Sequence, residues 1–237
     1  MDPVIAQIRQ ELKNIADPDI QRSAKRYFKE EIRCYGTKTA PVIAMAKKYW
    51  NEVKHRPKKE IFSLCEELYR SGYMEESFIV SEWAHRLSGQ WERDDLAVFR
   101  HWIDTYITNW ASCDGFCNHT MGDFVDKYPD CIEELKRWTR SKNRWMRRAA
   151  AVSLILQARQ GKYLEESMEI ASLLLTDRDD MVQKGYGWLL KEASRKHTSE
   201  IHAFVMKNKR EMPRTALRYA IEKMPQDLKA EAMKKDW

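Results

Sequence analysis

Glycine and proline are scarce, eight and seven in 237 residues, about half of average usage. Few residues that break regular structure mean few turns, so long helices joined by short connections are favoured. No run of alternating β-branched residues appears, while Glu, Lys, Arg, Ala, Leu and Met recur throughout, which excludes a sheet-based fold and predicts an all-α chain. The five cysteines (Cys34, Cys65, Cys113, Cys117, Cys131) are an odd number scattered over a long chain. They read as reduced thiols rather than a disulfide framework. The most apolar stretch, Ala149 to Leu156, is far too short to span a bilayer, and Met1-Asp2-Pro3 leads into a charged amphipathic segment with no signal-peptide core. A soluble, cytoplasmic protein without a membrane partner is expected. No GxGxxG or Walker-type phosphate loop is present.

Acid is missing from one long stretch. Between Lys136 and Lys162 there are nine Lys or Arg and no Asp or Glu; taking that +9 from the chain's +6 leaves −3 elsewhere. Segregated positive charge is the footprint of a polyanion site, although the same composition also fits a solvated helix face.

Amphipathic periodicity places a first helix at about 4–15, with Val4, Ile5, Ile8 and Leu12 on one side, and a second at about 20–34, closed by Gly36. Thr37 to Pro41 reads as a turn, with Thr39 as N-cap of the next helix. Further helices follow at about 41–52, 58–71, 75–87, 94–108, 110–127, 131–139, 144–160, 164–175, 181–195, 200–208 and 214–223, then a short tail helix. No linker divides this series, so residues 1–237 are expected to form a single domain. Its regular spacing predicts a HEAT-like α-solenoid of antiparallel helical hairpins with a concave basic face, a globular bundle being the other arrangement the spacing allows.

Within 181–195, Val182, Tyr186, Leu189 and Ala193 make a packing stripe, whereas Lys184, Trp188, Lys191 and Arg195 share a different face. Trp188 therefore stands with cations and outside the packing set. Near residue 144, Trp145, Ala149, Val152 and Leu156 form the core stripe, and Arg144 and Arg148 lie together on another face beside Arg147. Arginine suits phosphate because its planar fork donates two parallel hydrogen bonds.

The chemistry converges on Trp110 and Asp114. One helical turn apart, they put an electron-rich ring beside a carboxylate, and both attract positive charge. The spacing fits a core tryptophan and a surface aspartate equally well. Cys113, Cys117 and His119 lack metal-site spacing and fit a half-buried helix face. His85, His101 and His119 have no visible nucleophile partner. Glu66-Glu67 and Glu75-Glu76 read as solvated helix acids.

Three segments in order carry a family resemblance: Trp110 with Asp114; Asn143-Arg144-Trp145-Met146-Arg147-Arg148-Ala149-Ala150; and Val182-Gln183-Lys184-Gly185-Tyr186-Gly187-Trp188-Leu189-Leu190-Lys191-Glu192. With these the chain resembles the AlkD family of DNA alkylation repair glycosylases, HEAT-like solenoids that remove purines alkylated at N3 or N7. The resemblance implies a monomeric, monofunctional enzyme acting on duplex DNA without cofactor or metal, leaving the lesion stacked. Asp114 takes the place of the catalytic aspartate, Trp110 and Trp188 of the lesion-facing rings, Arg148 of the DNA-contacting arginine and Tyr27 of an active-site tyrosine. Lys191 stands where a relative would carry arginine, and Cys113 beside Asp114 is unusual. Arg144, Lys184 and Lys191 are expected to hold phosphates, and Lys38 and Thr39, in the Gly36–Pro41 turn, to touch the duplex opposite the lesion. The competing reading is a helical-repeat scaffold that binds DNA or protein without catalysis.

Overall fold

The computed structural model describes residues 2–235. The chain is all-α, and it divides after Phe116 into two compact units. The first holds α1 (Pro3–Asn14), α2 (Pro18–Tyr27), α3 (Thr39–Val53), α4 (Lys58–Tyr69), α5 (Met74–Arg86), α6 (Asp95–Tyr106) and α7 (Trp110–Phe116). The second begins with a π-helical segment, Cys117–Met121, and continues as α8 (Gly122–Lys127), α9 (Ile132–Trp138), α10 (Arg144–Val152), α11 (Ile155–Arg159) and α12 (Leu164–Leu173). It ends with α13 (Asp180–Ala193), α14 (Thr198–Asn208), α15 (Arg214–Ala220) and α16 (Gln226–Met233). Among the described residues the one departure from helices and loops is an isolated parallel bridge between Arg33 and Tyr73.

Both units are built from stacked helices. In the first, α1 packs on α3, α3 on α5 and α5 on α7, with α4 bridging α1 and α5. Its core is aromatic: Phe62, Trp102, Phe99 and Phe116 meet edge to face around Tyr69. Trp83 is fully buried, and its indole N–H donates to the Ala46 carbonyl at 2.9 Å, so the polar edge costs nothing on burial. In the second unit α13 is central, packed by α10, α11, α12 and α15. Its predicted stripe of Val182, Tyr186, Leu189 and Ala193 is buried, as are Val4, Ile5, Ile8 and Leu12 of α1.

Three expected helices end early or break. The segment placed at 110–127 passes through the π turn, and the one at 144–160 is interrupted at Ser153-Leu154. There the Ser153 carbonyl faces Gly122, where any Cβ would lie 2.9 Å from it, so the close approach depends on glycine. Helix α2 stops at Tyr27, seven residues before the expected Cys34. It buries none of its own residues, and the chain beyond it makes better bonds extended.

Those bonds go to Glu75. Its carboxylate, only 1% exposed, accepts the backbone N–H groups of Tyr35 (3.0 Å), Gly36 (2.9 Å) and Thr37 (3.2 Å). Glu76, 0% exposed, is gripped by the Arg9 guanidinium at 3.1–3.2 Å and accepts the Tyr35 hydroxyl at 2.7 Å. The expectation that these two acids are solvated is therefore corrected: each neutralises donors that the fold would otherwise bury unpaired. Gly36 closes the segment with φ +89°, and a Cβ there would sit 2.5 Å from the Asp17 carbonyl. Gly36→Ala is expected to destabilise the protein by about 3 kcal/mol, from strain and overpacking together, read as a lowered denaturant midpoint. Thr39 is the first residue of α3 and not its N-cap; the cap position is Lys38, which makes no side-chain capping bond.

Candidate active site

Helix α7 is positioned from both ends of its buried face. The Asn109 carboxamide oxygen accepts the Ser112 N–H at 2.9 Å, capping the first turn. The Ser112 and Ser77 hydroxyls lie 2.7 Å apart, and with Ser81 beside Gly115 these small residues let α5 and α7 approach closely. Ser112, Cys113 and Phe116 are buried, whereas Trp110, Ala111, Asp114 and Gly115 are half-exposed. The i, i+4 spacing of Trp110 and Asp114 thus becomes a shared, solvent-accessible face. Trp110 is not a core tryptophan, unlike Trp83, Trp91, Trp102, Trp138 and Trp145.

Two aromatic side chains from the end of α2 meet this face. Tyr27, 71% exposed, stands edge-on to the Trp110 ring at 6.0 Å. Phe28 stacks on it, 5.2 Å between centroids and 15° between planes. Periodicity alone does not single out Phe28, which falls inside the helix expected at 20–34; its extended backbone (φ −82°, ψ 138°) is what turns the ring onto Trp110. One face of the indole is thereby fixed by an apolar neighbour, which leaves a rigid quadrupole to offer a cation. Lys38 and Thr39, downstream of the loop that Glu75 anchors, are exposed.

The cysteine reading is corrected as well. All five cysteines are reduced and buried; Cys113 and Cys117 are fully inside, not on a half-buried face, and His119 is exposed. Burial pushes the Cys65 thiol well above its ordinary value, so it stays protonated and inert.

In the second unit Trp188 is half-buried on α13, outside the core, as its face predicts. Lys191 lies near it (6.0 Å from Nζ to the ring) and near Tyr219 (5.6 Å), and pairs with Glu222 at 3.2 Å. The ammonium is thus already shared between a carboxylate and two rings. Lys184 pairs with Asp180 at 3.4 Å. Arg144 reaches Asp179 at 2.8 Å and Asp180 at 3.7 Å, with its guanidinium 4.9 Å from the Trp145 ring. Asp179 is also the N-cap of α13, accepting the Met181 and Val182 N–H groups. Arg148 is only 5% exposed and donates to the Met181 carbonyl. It ties α10 to the first turn of α13, whatever else it touches.

The acid-free stretch is accordingly less positive than its composition implies. Lys136 pairs with Glu133 and Glu169, Arg137 with Glu134, Arg147 with Asp177, Arg159 with Glu192 and Lys162 with Asp126. Lys162 and the Tyr163 hydroxyl hold the Asp126 carboxyl below its usual value. Among the described residues, Arg140 and Lys142 keep uncompensated charge, on the loop before α10. Glu133 and Glu134 lie just outside the counted stretch and the other partners are remote in sequence, which is why a local charge count overstates the field.

The two parts offer different chemistry. The α7 face can hold a cation against a ring and a carboxylate, while the α10–α13 region presents an aromatic ring among paired cations. Among the described residues no three His, Cys, Asp or Glu side chains gather as metal ligands, and no helix is long and apolar enough to cross a membrane.

Comparison with known proteins gives the family. No curated protein matches the sequence. Among solved structures, a "Predicted DNA alkylation repair enzyme from Enterococcus faecalis" superposes with a TM-score of 0.80 at 16% identity, covering 89% of this chain and 97% of that one. At that identity the likeness shows the shared all-helical fold. The family of the DNA alkylation repair enzyme matches residues 8–224, nearly the whole sequence. This chain belongs to the DNA alkylation repair enzyme family.

Proposed function

We propose that the protein is a monofunctional DNA glycosylase that hydrolyses the N-glycosidic bond of purines alkylated at N3 or N7 in duplex DNA. The observation that carries this reading is the half-exposed Trp110–Asp114 face, with Phe28 stacked on the indole.

Alkylation at N3 or N7 makes the base cationic. When the bond from the base nitrogen to C1′ breaks, its electron pair stays with the base, which leaves neutral, and oxocarbenium character builds on the deoxyribose. Little general acid is needed. Asp114 stabilises the cationic sugar and orients a water, whose oxygen bonds to C1′ as its proton passes to the carboxylate or solvent. Trp110 packs its ring on the cationic nucleotide, a contact worth about 0.5–2 kcal/mol, and Trp188 is assigned the same role for its own ring. Tyr27 lines the nucleotide; Lys38, Thr39, Arg144, Arg148, Lys184 and Lys191 are assigned contacts to the DNA backbone. For the arginines and lysines of the second unit this requires exchanging a carboxylate or carbonyl partner for a phosphate.

The test is release of 7-methylguanine from a duplex under single-turnover conditions. Release by the wild type is expected; none from any N3- or N7-alkylpurine duplex overturns the proposal and leaves a non-catalytic DNA binder. Phe28→Ala is expected to slow release by roughly three- to tenfold, because the indole loses the neighbour that fixes it. Affinity for duplex DNA is expected to fall with salt, and Lys38→Gln to reduce the slope of log K against log[salt] by about 0.9. An unchanged slope removes Lys38 from the interface.

A further inference from the structure

A cleft of about 420 Å³ in the first unit shares no lining residue with α7. Its walls come from α1, the end of α4, the turn into α5 with the start of that helix, and the segment between α2 and α3, and its charged lining is Arg9, Lys13, Arg33, Arg70, Glu67 and Glu76. That volume falls at the lower end of the range for small-ligand pockets. Its lining carries four cations against two carboxylates.

The charges are not equivalent. Glu76 is saturated by Arg9 and the Tyr35 hydroxyl, so this buried acid and Arg9 cancel. Glu67 stands 4.0 Å from the same guanidinium. Lys13, Arg33 and Arg70 remain at the exposed rim; Arg70 is paired with Glu66 at 2.7 Å, while Lys13 has no carboxylate partner among the described residues.

Arg33 is the built part. Its guanidinium lies 4.3 Å over the Tyr73 ring, and one terminal nitrogen donates to the Ser71 carbonyl at 3.0 Å. Tyr73 is stacked in turn on Tyr35, 4.0 Å between centroids and 19° between planes. Tyr35 is fastened to Glu76 by its hydroxyl and to Glu75 by its N–H. The fork is therefore held over a supported ring with donors to spare. An arginine fixed this way loses little freedom on binding, and its geometry matches two oxygens of one oxyanion.

We propose that this cleft binds a phosphate group, with Arg33 as the bidentate donor and Lys13 supplying the second, uncompensated charge. The site is independent of the glycosylase reading. Calorimetric titration of the full chain with inorganic phosphate, against chloride at matched ionic strength, tests it. Saturable binding is expected, weakened roughly tenfold or more by Arg33→Gln and less by Lys13→Gln, an exposed change that leaves the wall intact. Binding no stronger than chloride overturns the proposal, as does saturable binding unchanged in both variants. Asp114→Asn is expected to bind phosphate like the wild type, which separates this site from any failure of base release. Adding undamaged duplex distinguishes the source: displacement of phosphate identifies a backbone phosphate, and retention identifies a small phosphate-bearing molecule.

Discussion

Asp114→Asn is expected to slow release of 7-methylguanine by roughly 10²- to 10³-fold, or about 2.7–4 kcal/mol of barrier, the scale on which a single preorganised electrostatic group acts. The substitution keeps size and removes charge. Because Asp114 lies on the half-exposed face of α7, and the packing of that helix runs through Ser112, Cys113 and Phe116, the fold should tolerate it. Binding of undamaged duplex should change little, since the carboxylate faces a charge that develops only as the bond breaks. Single-turnover release from a defined lesion, with spontaneous depurination subtracted, is the measurement. A variant that releases base at the wild-type rate removes Asp114 from the chemistry. A variant that loses rate only through weaker DNA binding assigns it to positioning.

The largest effect on stability is expected from Glu75→Ala. One carboxylate receives three backbone N–H groups, and removing it strands all three, those of Tyr35 and Gly36 in a closed environment and that of Thr37 in a half-buried one. Each unsatisfied buried donor costs about 1–3 kcal/mol, partly relieved where water enters the vacated space, so a loss of about 3 kcal/mol or more is expected. Glu75→Gln should recover little, because one of its two terminal groups is itself a donor. Urea denaturation reads the stability, and hydrogen exchange at Tyr35, Gly36 and Thr37 reads the cause. A midpoint shift worth less than about 0.5 kcal/mol, within the range of ordinary surface substitutions, would show that the loop is held otherwise. Since this segment leads into Lys38 and Thr39, its loosening should also weaken DNA binding while leaving Lys184 and Lys191 untouched.

Much of the architecture follows from local pattern. A chain poor in glycine and proline, without alternating β-branched residues, can satisfy its backbone only within helices, and nearly every helix lies within a few residues of its periodic signal. The faces were legible too. Val182, Tyr186, Leu189 and Ala193 are core and Trp188 is not, because a 3.6-residue period fixes which side chains share a side. The same rule puts Trp110 over Asp114.

The rest depended on partners far away in the chain. Nothing near Glu75 and Glu76 reveals that Tyr35, Gly36, Thr37 and Arg9 will consume their charge; an exposed helix acid and a buried anchor look alike until the opposing donors arrive. The early end of α2 follows from that same meeting, and with it the placing of Phe28 on Trp110. The basic stretch is misleading for the equivalent reason, since Asp126, Glu169 and Glu192 come from other helices and Asp177 and Asp179 from the loop before α13. By itself the sequence determined helix, face and spacing, which are set by neighbours within a turn or two. Only the tertiary structure decided burial, charge compensation and the shape of the irregular segment, because each is the sum of contacts between residues about 30 to 70 positions apart.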